Sequence, residues 1–217
     1  MNKYFDIDLG DETPASVFVK LRSLSPSFLL ESIERGVDQS RYSFLGLGVS
    51  SVVEVNQGVF SFNSEKMASP DSQDEMMELF RTVLKDLPDL NPQIQGIPFS
   101  GGIVGFSSYD MVRYFESLPV EESKGGLLNP PDCAYLAPLS LLVFDHEDNS
   151  MALLHAGEEH DRNKLKTNIL ELLKTEISDS TDQNCSYSQP TANVEKDLFN
   201  KAVEKAKHHI FEGDIFQ

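Results

Sequence analysis

Four groups of residues in this sequence have types suited to chemistry, and each is tested by its spacing. Gly101-Gly102-Ile103-Val104-Gly105 sets glycines close enough for backbone amides to approach an anion. A dinucleotide loop requires another glycine spacing, a full-length helix after it and an acidic residue ending the next strand, so these glycines are read as easing close backbone packing. Ser107 and Ser108 follow, but Gly-Phe-Ser-Ser-Tyr departs from a nucleophile elbow at its last position. The histidines, His146, His155, His160, His208 and His209, include no His-Glu-x-x-His and no i, i+4 pair for a metal. His208 and His209 are adjacent and point to different sides of any helix, as surface or packing residues do. Cys133 and Cys185 lie far apart without a partner at ligand spacing, which fits a reducing compartment and two inert thiols.

Glu31 is harder to dismiss. It interrupts the apolar run Phe28-Leu29-Leu30-Glu31-Ser32-Ile33. Successive strand residues face opposite ways, so the plain reading puts one of Glu31 and Ser32 in solvent.

The elements that must position these residues can be read from periodicity. Thr13-Pro14 opens a short helix with Val17 and Leu21 on its apolar face. Residues 28–33 and 42–47 read as strands, and Val52 to Val55 and Val59 to Phe62 form a hairpin around Asn56-Gln57-Gly58. Ser69-Pro70 is expected to start a second helix, whose Met76, Met77, Phe80, Val83, Leu84 and Leu87 recur at three- and four-residue steps as core packing. The acidic run 71–75 then falls in its first turn, where it complements the helix dipole. Residues 101–106 read as a buried strand leading to a helical turn at 109–114. Leu139 to Phe144 and Met151 to His155 flank the polar break Asp145-His146-Glu147-Asp148-Asn149, which predicts a second hairpin. A third helix is expected at 158–177 and a fourth at 194–211, the latter stopped by Gly213. Between them, 178–193 is polar and poor in aliphatics, as a connector is.

Composition narrows the partners. Against 18 Lys and Arg stand 35 Asp and Glu, a formal charge of −17 over 217 residues, which repels nucleic acid and anionic membranes. The first ten residues lack the apolar core of a signal peptide, and no stretch reaches membrane-spanning length, so the expected location is cytoplasmic.

Four segments taken together resemble anthranilate synthase component I. They are Leu29-Leu30-Glu31-Ser32, then Ser40-Arg41-Tyr42-Ser43-Phe44-Leu45-Gly46, then Gly101 to Gly105 with Tyr109-Asp110-Met111-Val112-Arg113 and Glu116, and last Ala206-Lys207 with Ile210 and Gly213-Asp214-Ile215-Phe216-Gln217. The resemblance implies an α+β fold, with antiparallel β-sheets in a sandwich and outer helices, truncated before the chorismate-binding core. It implies an N-terminal regulatory region at 1–177, a connector at 178–193 and, at 194–217, the opening helix of a chorismate-binding domain. The implied reaction converts chorismate and ammonia to anthranilate and pyruvate in tryptophan biosynthesis, with ammonia from a glutamine amidotransferase subunit, component II. Its Mg²⁺ ligands and catalytic groups are implied to lie outside this chain, which alone is then inactive. Chorismate would be held through the missing domain. The family's N-terminal part also holds L-tryptophan, the feedback inhibitor, and the resemblance maps that site onto Leu30, Glu31 and Ser32, with Ser43 on a neighbouring strand. Glu31 would then take the ligand's ammonium in a charge-assisted hydrogen bond. The alternatives are para-aminobenzoate synthase component I, which shares the fold and typically departs from Glu at the position of Glu31, and a non-catalytic amino-acid-binding module.

Overall fold

The computed structural model describes residues 3–31, 41–116, 130–176, 186 and 188–216. The chain forms two compact units, Met1–Ile177 and Ser178–Gln217. The first unit runs β1 (Ile7–Asp8), α1 (Pro14–Lys20), β2 (Pro26–Leu30), β3 (Tyr42–Leu47), β4 (Ser51–Asn56), β5 (Val59–Phe62), β6 (Glu65–Ala68) and α2 (Gln73–Asp86). It continues with β7 (Val104–Ser107), a 3₁₀ turn at Tyr109–Tyr114, β8 (Cys133–Ala137), β9 (Ser140–Asp145), β10 (Ser150–His155) and α3 (Glu159–Leu173).

The strands make two antiparallel five-stranded sheets, ordered β1-β10-β9-β3-β2 and β6-β5-β4-β8-β7. One ribbon links them. β3 and β9 pair as far as Leu47 with Ser140, and after a few residues the same two chain segments pair again as β4 and β8 from Ser51 with Ala137. Gly48, at φ +64°, makes the corner on one segment, and the Ser50 N–H donates to the Ala137 carbonyl across it at 2.9 Å. A strand pair that bends from one sheet into the next is a standard way to turn a β corner.

Each sheet has its own core. The first is covered on both faces. On one, Leu45, Leu47, Leu142, Phe144, Met151 and Leu153 pack with Val17 and Leu21 at α1 and Ile169 of α3. On the other, Phe44, Leu141, Val143, Ala152 and Leu154 meet Phe5, Leu90 and Ile94. The second sheet packs Val53, Val55, Phe60 and Cys133 against Met76 and Val83 of α2. No buried cluster draws on strands of both sheets, so the antiparallel sheets and outer helices of the expected fold are present without a shared sandwich interior among the described residues.

Local chemistry explains most element ends. Thr13 accepts the Ser16 N–H at 3.1 Å and Ser16 Oγ accepts the Thr13 N–H at 2.9 Å, a reciprocal box with Pro14 in the first turn. Gln57 and Gly58, at φ +51° and +80°, give the β4–β5 hairpin the two left-handed residues its tight turn needs. α2 begins three residues later than Ser69-Pro70 suggests, because Ser72 is the residue whose hydroxyl accepts from the Glu75 N–H. β7 corrects the expected buried strand: it is a sheet edge, and Phe106 is 48% exposed.

In the second unit, α4 (Lys196–Glu212) buries no residue, and Gly213 at φ +80° closes it, its N–H bonding the Ile210 carbonyl at 3.2 Å. Among the described residues no helix is long and apolar enough to cross a membrane.

Candidate functional site

Ser43 lies on β3, wholly buried, opposite Phe144 of β9. Its hydroxyl is 2.7 Å from Nε2 of His146, in the turn that follows β9. The same turn grips Arg41. Nε and an Nη of Arg41 donate to the two carboxylate oxygens of Asp145 at 2.9 and 2.7 Å, a planar fork on a carboxylate whose side chain is 3% exposed. Glu147 adds an ion pair to Arg41 at 2.5 Å, and the His146 N–H donates to the Arg41 carbonyl at 2.9 Å. The guanidinium also stands 5.2 Å from the centre of the Tyr42 ring, which lies 6.3 Å from Phe5. Residues 41–43 are thereby fastened to residues 145–147 through one backbone and several side-chain contacts.

The electrostatics follow from that packing. Burial alone raises the Asp145 carboxyl, but the Arg41 fork and the backbone N–H groups of Glu147 and Asp148 outweigh it and hold the group below its ordinary range. The bond to Asp145 keeps Arg41 firmly protonated against its partial desolvation. Burial, with the charge of Asp145 added, raises the Tyr42 phenol.

The residues expected at a ligand site are divided by this geometry. Phe28 and Phe44 belong to one apolar cluster, Leu29 and Leu45 to the other. Leu30, paired with Phe44 and 42% exposed, therefore takes the Phe44 face, while Ser43 takes the opposite one. Glu31 is exposed and follows the last paired residue of β2. Continuing the Leu30–Phe44 register by one step sets Glu31 across from Ser43. Ser32 lies outside the described residues. Sequence reasoning missed Asp145, His146 and Glu147, which read only as a polar turn.

The other candidates resolve into structure. Gly101 and Gly102 have φ of +149° and +113°, so they serve backbone conformation; a Cβ on Gly105 would stand 2.0 Å from the Ala134 carbonyl oxygen, so that glycine serves close packing with β8. The segment after them is a six-residue 3₁₀ turn, too short to offer a phosphate-binding helix end. His155, nearly buried, bonds Ser140 Oγ through Nδ1 at 2.8 Å. Both serine–histidine pairs satisfy hydroxyls within strands, which leaves no open nucleophile in either. His208 is exposed beside Glu212, and His209 is half-buried beside Asp214. Cys133 is buried, and desolvation pushes its thiol up to about 11; Cys185 lies outside the described residues. Among the described residues no group of three or more His, Cys, Asp and Glu could hold a metal ion.

Comparison with known proteins gives this geometry a family. Anthranilate synthase component 1 of Thermus thermophilus is 34% identical over 218 residues, covering 99% of this chain and 45% of that protein. The component 1 of Bacillus subtilis strain 168 is 29% identical over 226 residues, covering 94% and 43%. The crystal structure of anthranilate synthase component I from Streptococcus pneumoniae TIGR4 shares the fold at a TM-score of 0.56 and 21% identity, over 96% of this chain and 46% of that one. The chain spans less than half the length of the curated relatives it matches. The family of chorismate binding enzymes matches residues 32–217, most of the sequence, and this chain belongs to that family.

Proposed function

We propose that this chain is the N-terminal portion of an anthranilate synthase component I, contributing to tryptophan feedback control and leaving turnover to the rest of the subunit. The observation that carries the reading is the match of nearly all of this chain to less than half of proteins of that name, joined to a Glu31 residue standing exposed at the end of β2. In this reading the subunit, a lyase, works in the cytoplasm, takes ammonia from a component II amidotransferase, and binds chorismate and Mg²⁺ through residues outside this chain. Leu30, Glu31, Ser32 and Ser43 are proposed for the inhibitor. Glu31 meets the ammonium of L-tryptophan, and the buried Ser43 supports that position from the neighbouring strand.

The test is product chemistry. The complete subunit with chorismate, Mg²⁺ and ammonia is expected to yield anthranilate, read by its fluorescence. Aminodeoxychorismate instead would favour para-aminobenzoate synthase. The 217-residue chain alone is expected to form neither product. It has no tryptophan of its own, so added L-tryptophan can be followed by indole emission, with weak binding expected from part of a pocket.

A further inference from the structure

The turn at 145–147 does more than join β9 to β10. Its backbone holds the Arg41 carbonyl, Asp145 holds the Arg41 guanidinium, and the exposed His146 ring reaches Ser43 Oγ at 2.7 Å. Arg41 precedes β3 and Ser43 is its second residue. The strand partner that β3 offers to β2 at this end is therefore fixed by a turn about a hundred residues away. Glu31 follows Leu30, the last paired residue of β2, and one further step of that register would bring it across from Ser43. A hydrogen bond on this serine sets the position of the strand against which the Glu31 carboxylate is placed.

We propose that His146 is a positioning residue of the amino-acid regulatory site: through Ser43 it holds the start of β3 where Glu31 can meet the inhibitor's ammonium. This rests on the reading of Glu31 as the inhibitor's partner. His146 touches neither substrate nor reacting atoms, and its effect passes through Ser43. The requirement on the side chain is a polar atom at the distance of Nε2. Glutamine meets that requirement, and asparagine, one methylene shorter, ends near the position of Nδ1.

The experiment measures L-tryptophan inhibition of the complete subunit in wild type, His146→Gln, His146→Asn, Ser43→Ala and the Ser43→Ala/His146→Asn double variant, each against its own uninhibited rate. His146→Gln is expected to stay within about twofold of wild type, and His146→Asn to raise the inhibition constant about three- to tenfold, the range of one neutral hydrogen bond. In the Ser43→Ala background, His146→Asn is expected to add nothing, because the coupling runs through that hydroxyl. A merely structural role would give additive losses and no rescue by glutamine. Equal inhibition in His146→Asn and wild type, or full additivity with Ser43→Ala, overturns the inference while Glu31→Ala still weakens inhibition. Should Glu31→Ala leave inhibition unchanged, the inhibitor reading falls and this inference with it.

Discussion

The two sheets solve burial differently. In the first, β9 and β10 are buried at every residue, with apolar clusters on both faces, and their sequences Leu-Leu-Val-Phe and Met-Ala-Leu-Leu are unbroken runs. In the second, β4 alternates buried and exposed positions, with α2 on one face and Val52 exposed on the other. An antiparallel sheet that is covered twice behaves like the interior of a larger protein, whereas one covered once shows the alternation expected at a solvent boundary. The candidate site sits where the doubly covered sheet meets solvent. There Ser43 is buried, Glu31 is exposed, and the charges of Arg41, Asp145 and Glu147 close the edge. A carboxylate placed at such a border is accessible to a ligand while its strand is held by a packed core.

This contrast has consequences for stability. The largest is expected at Phe144, wholly buried in the doubly covered sheet: Phe144→Ala should cost about 3–5 kcal/mol in urea unfolding. Phe106→Ala, on the exposed edge strand of the other sheet, should cost well under half of that, and equal losses at the two sites would break the contrast. Gly105→Val comes next. Its side chain would have to displace the β8 backbone, for which about 1–3 kcal/mol is expected in the same measurement. A saturable stabilisation of the wild type by ATP or NAD would instead revive a nucleotide role for these glycines.

Asp145→Asn should have its clearest effect on the acid side. The folded state holds this carboxyl below its ordinary range, so its contribution is present above the unfolded value, about 4 for an aspartate, and is lost as pH falls through the folded one. Wild-type stability is therefore expected to decline below about pH 4, and the Asn variant to show a shallower decline from a lower starting point. Identical acid slopes would remove Asp145 from the account.

How much of this was legible depended on distance along the chain. Thr13-Pro14, Gln57-Gly58 and Gly213 act within a few residues of themselves, and their roles as cap, hairpin turn and helix stop can be read locally. Gly-Gly-Ile-Val-Gly-Phe could not reveal whether it was central or at an edge, since that depends on which strands pair beside it; among the described residues β7 pairs with β8 alone. β8 itself, Cys-Ala-Tyr-Leu-Ala, has little alternation to announce a strand. The bend of the β3–β9 ribbon into β4–β8 is likewise a pairing fact, with Gly48 as its only local trace. At the site, Glu31 stood out because a charge broke an apolar run. Asp145, His146 and Glu147 did not, because a polar turn between two hydrophobic strands looks the same whether or not it reaches back about a hundred residues to Arg41 and Ser43.

The most direct test of the central claim is tryptophan inhibition of the complete subunit carrying Glu31→Ala. A charged hydrogen bond lost from the inhibitor's ammonium should weaken its binding by about 1.5–3 kcal/mol, roughly ten- to a hundredfold in the inhibition constant. An inhibition constant equal to that of the wild type would contradict the assignment of Glu31 as the inhibitor's partner.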